Sequence, residues 1–225
     1  MARSLILSGL ALLLLVLGQQ IGKAEVHPKL TTQVCTKKHG CVTQQTYLVL
    51  DALSHPIQNI KTGGSCTNSS GQLDLSVCGT EKKACVQNCA LEGIDYAQHG
   101  VETQGSSLTL RQYLNISGVQ QSVSPRLYLL GPTAQNYEML QLLNQEFTFI
   151  VDVSNLPCGM NGALYFSEMA RSGGRSNLNP AGASYGTGYC DAQCPAISWI
   201  NGVANVDVVK VGDLRAAPSG LDVSS

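Results

Sequence analysis

The residues best suited to chemistry lie between Glu146 and Cys194, where tyrosines, amides and carboxylates sit in glycine-rich sequence. The run Tyr185-Gly-Thr-Gly-Tyr-Cys-Asp-Ala-Gln-Cys-Pro195 reads as a loop carrying Tyr189, Asp191 and Gln193. A tyrosine offers a flat apolar ring with a hydroxyl at its tip, while Asp and Gln supply directed hydrogen bonds. Such a set suits a hydroxyl-rich ligand better than a phosphate, so the stretch predicts a sugar-binding face. Asn161 and Tyr165, just upstream, add an amide and a second ring.

Strands must position these groups. Over residues 147–153 the apolar Phe147, Phe149, Val151 and Val153 fall on one face while Thr148 and Asp152 fall on the other, which predicts a half-buried strand. Leu156-Pro-Cys-Gly-Met-Asn-Gly162 then predicts a turn, because proline fixes φ and Asn and Gly tolerate positive φ. A second strand is expected over 163–169. Residues 46–50, 107–114 and 126–130 also read as strands, and 137–143 is read as a strand rather than a helix because its neighbours are strands. Residues 54–107 are expected to be mostly loop, with one or two helical turns within 84–96. Several strands broken by Gly, Ser and Asn turns predict an all-β antiparallel sandwich.

The first residues set the compartment. Arg3 and the apolar run from Leu5 to Leu17 are too short for a span of ~30 Å and predict a secretory signal peptide over residues 1–18, with Ala24 as a second candidate cleavage site. The product is expected to be secreted and extracellular, with no membrane association after cleavage, and the remaining chain suits one β-rich domain or part of a larger one. Nine cysteines in such a chain read as disulfides before metal ligands, and no C-x-x-C pair occurs, so neither metal nor cofactor is expected. A net charge of −1 without a basic stripe argues against a nucleic-acid partner. Asn68-Ser-Ser and Asn115-Ile-Ser fit the N-glycosylation pattern, with unmodified surface asparagines as the other reading. Residues 206–225 lose the alternation and the tyrosine-glycine texture, and read as a divergent tail.

Across residues 19–205 the chain resembles the N-terminal half of a family 7 glycoside hydrolase, of the endoglucanase branch. The segments that carry the likeness are Glu25-Val-His-Pro-Lys-Leu-Thr-Thr, Gln87-Asn-Cys-Ala-Leu-Glu-Gly-Ile-Asp-Tyr96, Ser124-Pro-Arg-Leu-Tyr128, Asn144-Gln-Glu-Phe-Thr-Phe149, Leu156-Pro-Cys-Gly-Met-Asn-Gly-Ala-Leu-Tyr165 and the loop ending at Pro195. The resemblance implies a β-jelly-roll sandwich and a retaining cellulase that cleaves β-1,4-glucosidic bonds in cellulose or a related β-glucan. A monomer is expected. It also implies sugar contacts from Arg126, Asn161, Tyr165, Tyr189, Asp191 and Gln193; for Arg126 a structural ion pair is the other reading. Disulfides are implied between Cys35 and Cys41, Cys66 and Cys89, and Cys78 and Cys85. Cys158, Cys190 and Cys194 match cysteines that pair beyond the matched half, and are expected to be unpaired here.

Retaining glycosidases need two carboxyl groups about 5–5.5 Å apart, and the family places them in a Glu-x-Asp-x-x-Glu strand motif. None of the fifteen acids in this chain has another acid two residues away, and the tightest spacing, Glu92 to Asp95, contains Gly93. No catalytic residue is therefore assigned, and Glu146, Asp152 and Glu168 read as solvent-side acids. The chain is expected to be inactive by itself and, with open sheet edges and unpaired thiols, to fold poorly. A non-catalytic secreted carbohydrate-binding protein derived from the enzyme is the alternative reading.

Overall fold

The structure, a computed structural model, describes residues 20–189, 197–200 and 202–206. The expected signal peptide, Cys190, Asp191, Gln193, Cys194 and residues 207–225 of the expected tail lie outside them. In chain order the elements are β1 (Gln20–Ile21), β2 (Lys29–Thr36), β3 (Gly40–Leu50), β4 (Ile57–Asn59), α1 (Leu75–Cys78), α2 (Lys82–Asn88), β5 (Cys89–Leu91), β6 (Val101–Gln104), β7 (Ser107–Leu110), β8 (Tyr113–Ile116), β9 (Val119–Ser122), β10 (Leu127–Leu130), β11 (Trp199–Ile200) and β12 (Val203–Ala204). Among the described residues every strand pairing is antiparallel except that of β1 with β5.

β3 is the axis of the fold. Thr46-Tyr-Leu-Val-Leu50 combines β-branched and aromatic residues with apolar ones on both sides, as a strand covered on both faces should. Val49 packs with Leu130, Tyr137 and Ala183, whereas Leu50 packs on the other side with Tyr96 and Val101. Its neighbours are β2 and β10, with Leu127 opposite Leu50 and Tyr128 opposite Val49. Beyond Thr46 the β2–β3 hairpin projects as an exposed ribbon, tied where Cys35 sits opposite Cys41. A third core gathers the disulfides Cys66–Cys89 and Cys78–Cys85 with Leu91, Tyr185 and Trp199.

The entering chain is fastened to β5. Gly22 N donates to Leu91 O, Gly93 N donates to Lys23 O, and Tyr185 OH donates to the same carbonyl at 3.0 Å. Lys23 N donates to Glu92 Oε2 at 2.8 Å.

Several sequence expectations need correction. Residues 147–153 and 163–169 form no strand, and of 137–143 only Tyr137 makes a bridge, to Leu130. A strand needs a neighbour to take its backbone hydrogen bonds and an apolar surface to receive one face; here Ile150 is 98% exposed and Phe147, Phe149, Val151 and Val153 all face solvent. The i, i+2 relation survives in the side chains, since Phe147 and Phe149 touch with centroids 5.6 Å apart and Phe166 stacks edge-on at 5.2 Å. The polar stretch before Thr46 forms β2 and most of β3, and 107–114 is two strands broken at Arg111 and Gln112.

Candidate functional site

The β3–β10 ladder builds the site one step past its last apolar pair. With Leu50 opposite Leu127, the next pair is Asp51 and Arg126, joined by Asp51 N donating to Arg126 O at 2.9 Å. Because side chains alternate, Arg126 and Tyr128 share a face with Val49 and Asp51, so Asp51 has Arg126 directly across and Tyr128 on the diagonal. Asp51 Oδ2 consequently accepts from both: Arg126 Nη2 lies 3.1 Å away, and Tyr128 OH donates to the same oxygen. Asp51 Oδ1 accepts from Leu53 N at 2.8 Å and opens the 3-10 turn Ala52–Ser54.

The glycine-rich loop completes the cluster. After the 3-10 turn Gly182–Tyr185, Gly186 takes φ +67° and its carbonyl accepts from Ala52 N at 3.1 Å. A β-carbon there would lie 1.9 Å from Leu50 O, so only glycine lets the loop approach β3 this closely. Thr187 is held by Tyr137 OH, which donates to its carbonyl at 2.7 Å, and by Asn179 Nδ2, which donates to its Oγ1 at 2.8 Å. The loop therefore delivers Tyr189 to a fixed place. The guanidinium carbon of Arg126 lies 4.6 Å from the centre of the Tyr189 ring, within cation–π range, and Tyr128 approaches the same ring at 5.8 Å.

Behind the site runs a buried polar array. Glu25 Oε2 lies 2.5 Å from His55 Nε2, Tyr96 OH donates to Glu25 Oε1, and His55 Nδ1 faces Asp51 O at 3.1 Å. Burial drives the His27 imidazole below its ordinary value, against the opposing pull of Glu25. Burial, then the charge of Glu25, pushes the Tyr185 phenol up to about 12. Tyr96, Tyr128 and Tyr137 are raised further, by burial first and then by Glu25 or Asp51.

Of the sugar contacts implied by sequence, the structure brings Arg126 and Tyr189 together. Asn161 and Tyr165 form a separate pair on the exposed segment, Asn161 Nδ2 donating to Tyr165 OH at 3.4 Å, with Tyr165 73% exposed. Asp51 and Tyr128 went unmarked in sequence; the register between two distant strands was the missing signal. Glu146 accepts from Thr148, Asp152 from Ser154 and Asp95 from Ala97 N, each a partner two residues away, while Glu92 accepts from the distant Lys23 N. Cys158 is exposed and unpaired. The sulfurs of Cys78, Cys85 and Cys89 cluster within 4.8 Å, but each is held in a disulfide.

The described residues form a mainly antiparallel β-fold with an aromatic and guanidinium surface at a strand end, and comparison supplies the family. The model of Glycosyl hydrolase family 7 matches residues 19–220, and the chain belongs to that family. It is 61% identical over 209 residues to a probable endo-beta-1,4-glucanase celB of Aspergillus terreus, covering 92% of this chain and 49% of that protein. It is 50% identical to endoglucanase EG-1 of Humicola insolens over 92% of this chain and 48% of that protein. The native Humicola insolens endocellulase EGI structure superposes with a TM-score of 0.75 at 48% identity, covering 84% of this chain and 47% of that one. An endoglucanase I complexed with cellobiose gives 0.73 at 45% identity, over 84% and 47%. These neighbours carry the family's β-jelly-roll fold. The chain spans about half the length of the curated relatives it matches.

Proposed function

We propose that these residues are the glucan-gripping half of a secreted, monomeric endo-β-1,4-glucanase that degrades cellulose with retention of configuration, and that alone they bind a β-1,4-glucan without cleaving it. The observation that carries this reading is the Arg126–Tyr189 stack, an oriented cation on a sugar-sized aromatic face at the end of the central ladder. Pyranose C–H faces pack on tyrosine rings, and a guanidinium supplies planar donors to ring hydroxyls. Asn161, Tyr165, Asp191 and Gln193 are the further contacts in this proposal, and Asn68 and Asn115, both exposed, are its glycan carriers. No two acids of this chain lie two residues apart, the spacing that opens the family's strand motif, and this supports binding without turnover.

Calorimetric titration of the purified chain with cellotetraose, beside a reducing-sugar assay on carboxymethylcellulose, tests both parts. Binding with no sugar release is expected. No binding would overturn the recognition role; release above a mock-expression control would overturn the non-cleaving role and direct mutagenesis to Glu146, Glu168 and Asp191.

A further inference from the structure

Two groups that pack on the Tyr189 ring, Arg126 and Tyr128, hang from one oxygen. Asp51 Oδ2 accepts from Arg126 Nη2 at 3.1 Å and from Tyr128 OH, and these are the groups lying 4.6 Å and 5.8 Å from that ring. The carboxylate itself is withdrawn, with 7% of its side chain exposed, whereas Arg126 is 44% exposed. A buried anion thus holds a half-exposed cation, the reverse of a surface ion pair in which both partners move freely.

We propose that Asp51 is a positioning residue for glucan recognition, setting the plane of Arg126 over Tyr189 without touching the sugar; this rests on the binding role proposed for Arg126 and Tyr189. Three constraints fix the carboxylate. Its backbone N–H is spent on Arg126 O in the ladder, Oδ1 on Leu53 N, and its backbone carbonyl on His55 Nδ1. With its own freedom removed, Asp51 transmits the geometry of β3 to the guanidinium. A guanidinium presents five donors in one rigid plane, so orienting it through Nη2 orients all of them. Removing the charge while keeping an acceptor at Oδ1 would release that plane and leave the turn cap in place.

The test compares wild type, Asp51→Asn and Asp51→Glu by cellotetraose titration, and by the Arg126 Nε–Hε resonance of the nitrogen-15 labelled chain, identified through its loss in Arg126→Lys. Asp51→Asn is expected to weaken cellotetraose binding about tenfold, or ~1.4 kcal/mol, and to move the Arg126 resonance to the position of a freely rotating arginine. Asp51→Glu is expected to restore part of both. An Arg126 resonance unmoved in Asp51→Asn overturns the positioning role whatever the sugar does. Unchanged cellotetraose affinity in Asp51→Asn, with wild type binding, overturns its relevance to recognition. Failure of wild type to bind cellotetraose overturns the glucan reading itself, an outcome separable from the other two.

Discussion

Tyr96, Tyr128 and Tyr137 keep their hydroxyls inside the protein, beside the carboxylates Glu25 and Asp51, where a phenolate would be both desolvated and repelled. Folded, they stay protonated; unfolded, they ionise near the ordinary tyrosine value. Below that value both states hold the proton and stability is unaffected. Above about pH 10 the unfolded state loses protons that the native state retains, so stability falls as pH rises, by up to about 1.4 kcal/mol per pH unit for each such group. Urea unfolding at pH 9, 10 and 11 should show midpoints that decline only above 10. Tyr137→Phe, which removes one of these hydroxyls, should make the decline shallower. An equally steep decline in that variant would assign the effect elsewhere.

At the scale of elements, the site depends on how closely a loop approaches a strand. Gly186→Ala adds a left-handed alanine, costing about 1–2 kcal/mol, and drives a methyl into Leu50 O. Gly63 has a similar φ of +70° with nothing within 4 Å of the added carbon, so Gly63→Ala carries the conformational cost alone. Thermal melts should place Gly186→Ala well below Gly63→Ala, by roughly 2–4 °C for each extra kcal/mol, and only the former should weaken cellotetraose binding. The strands at 46–50 and 126–130 were legible because their apolar residues meet cores on each side. Residues 147–153 carry as clear an alternation and form no ladder, because periodicity states which face is apolar and says nothing of whether a partner strand is present. The same limit hid Asp51. Arg126 and Tyr189 stand out by residue type and motif, but an acid at a strand end becomes meaningful only when a strand 75 residues later settles opposite it in a particular register.

At the scale of the molecule, two cores pack on opposite sides of β3, and two of the disulfides lie inside the third core, which receives the entering chain. In the loop-closure account, Cys35–Cys41 contributes about 2.4 kcal/mol and Cys66–Cys89 about 3.4 kcal/mol, so the longer-range staple is the one that underlies the site's supporting layer. Against this, residues 138–169 leave three phenylalanines and a row of aliphatic side chains in water, an apolar surface of the kind that attracts other chains.

The anchoring of Gly22 and Lys23 to β5 and to Tyr185 makes the stability of the fold depend on which of the two cleavage sites expected from sequence were used. Trimming after Gly18 keeps β1 and all four of those hydrogen bonds; trimming after Ala24 discards them and leaves Tyr185 OH without the Lys23 carbonyl it donates to. At about 1 kcal/mol for each bond, a chain beginning at Glu25 should melt on the order of 10 °C below one beginning at Gln19, a difference that calorimetry of the two forms would resolve. The new ammonium of the shorter form would also sit on Glu25 itself, within the array that His55 and Tyr96 close. Cleavage at one or the other of these expected sites would thus give two differently braced proteins.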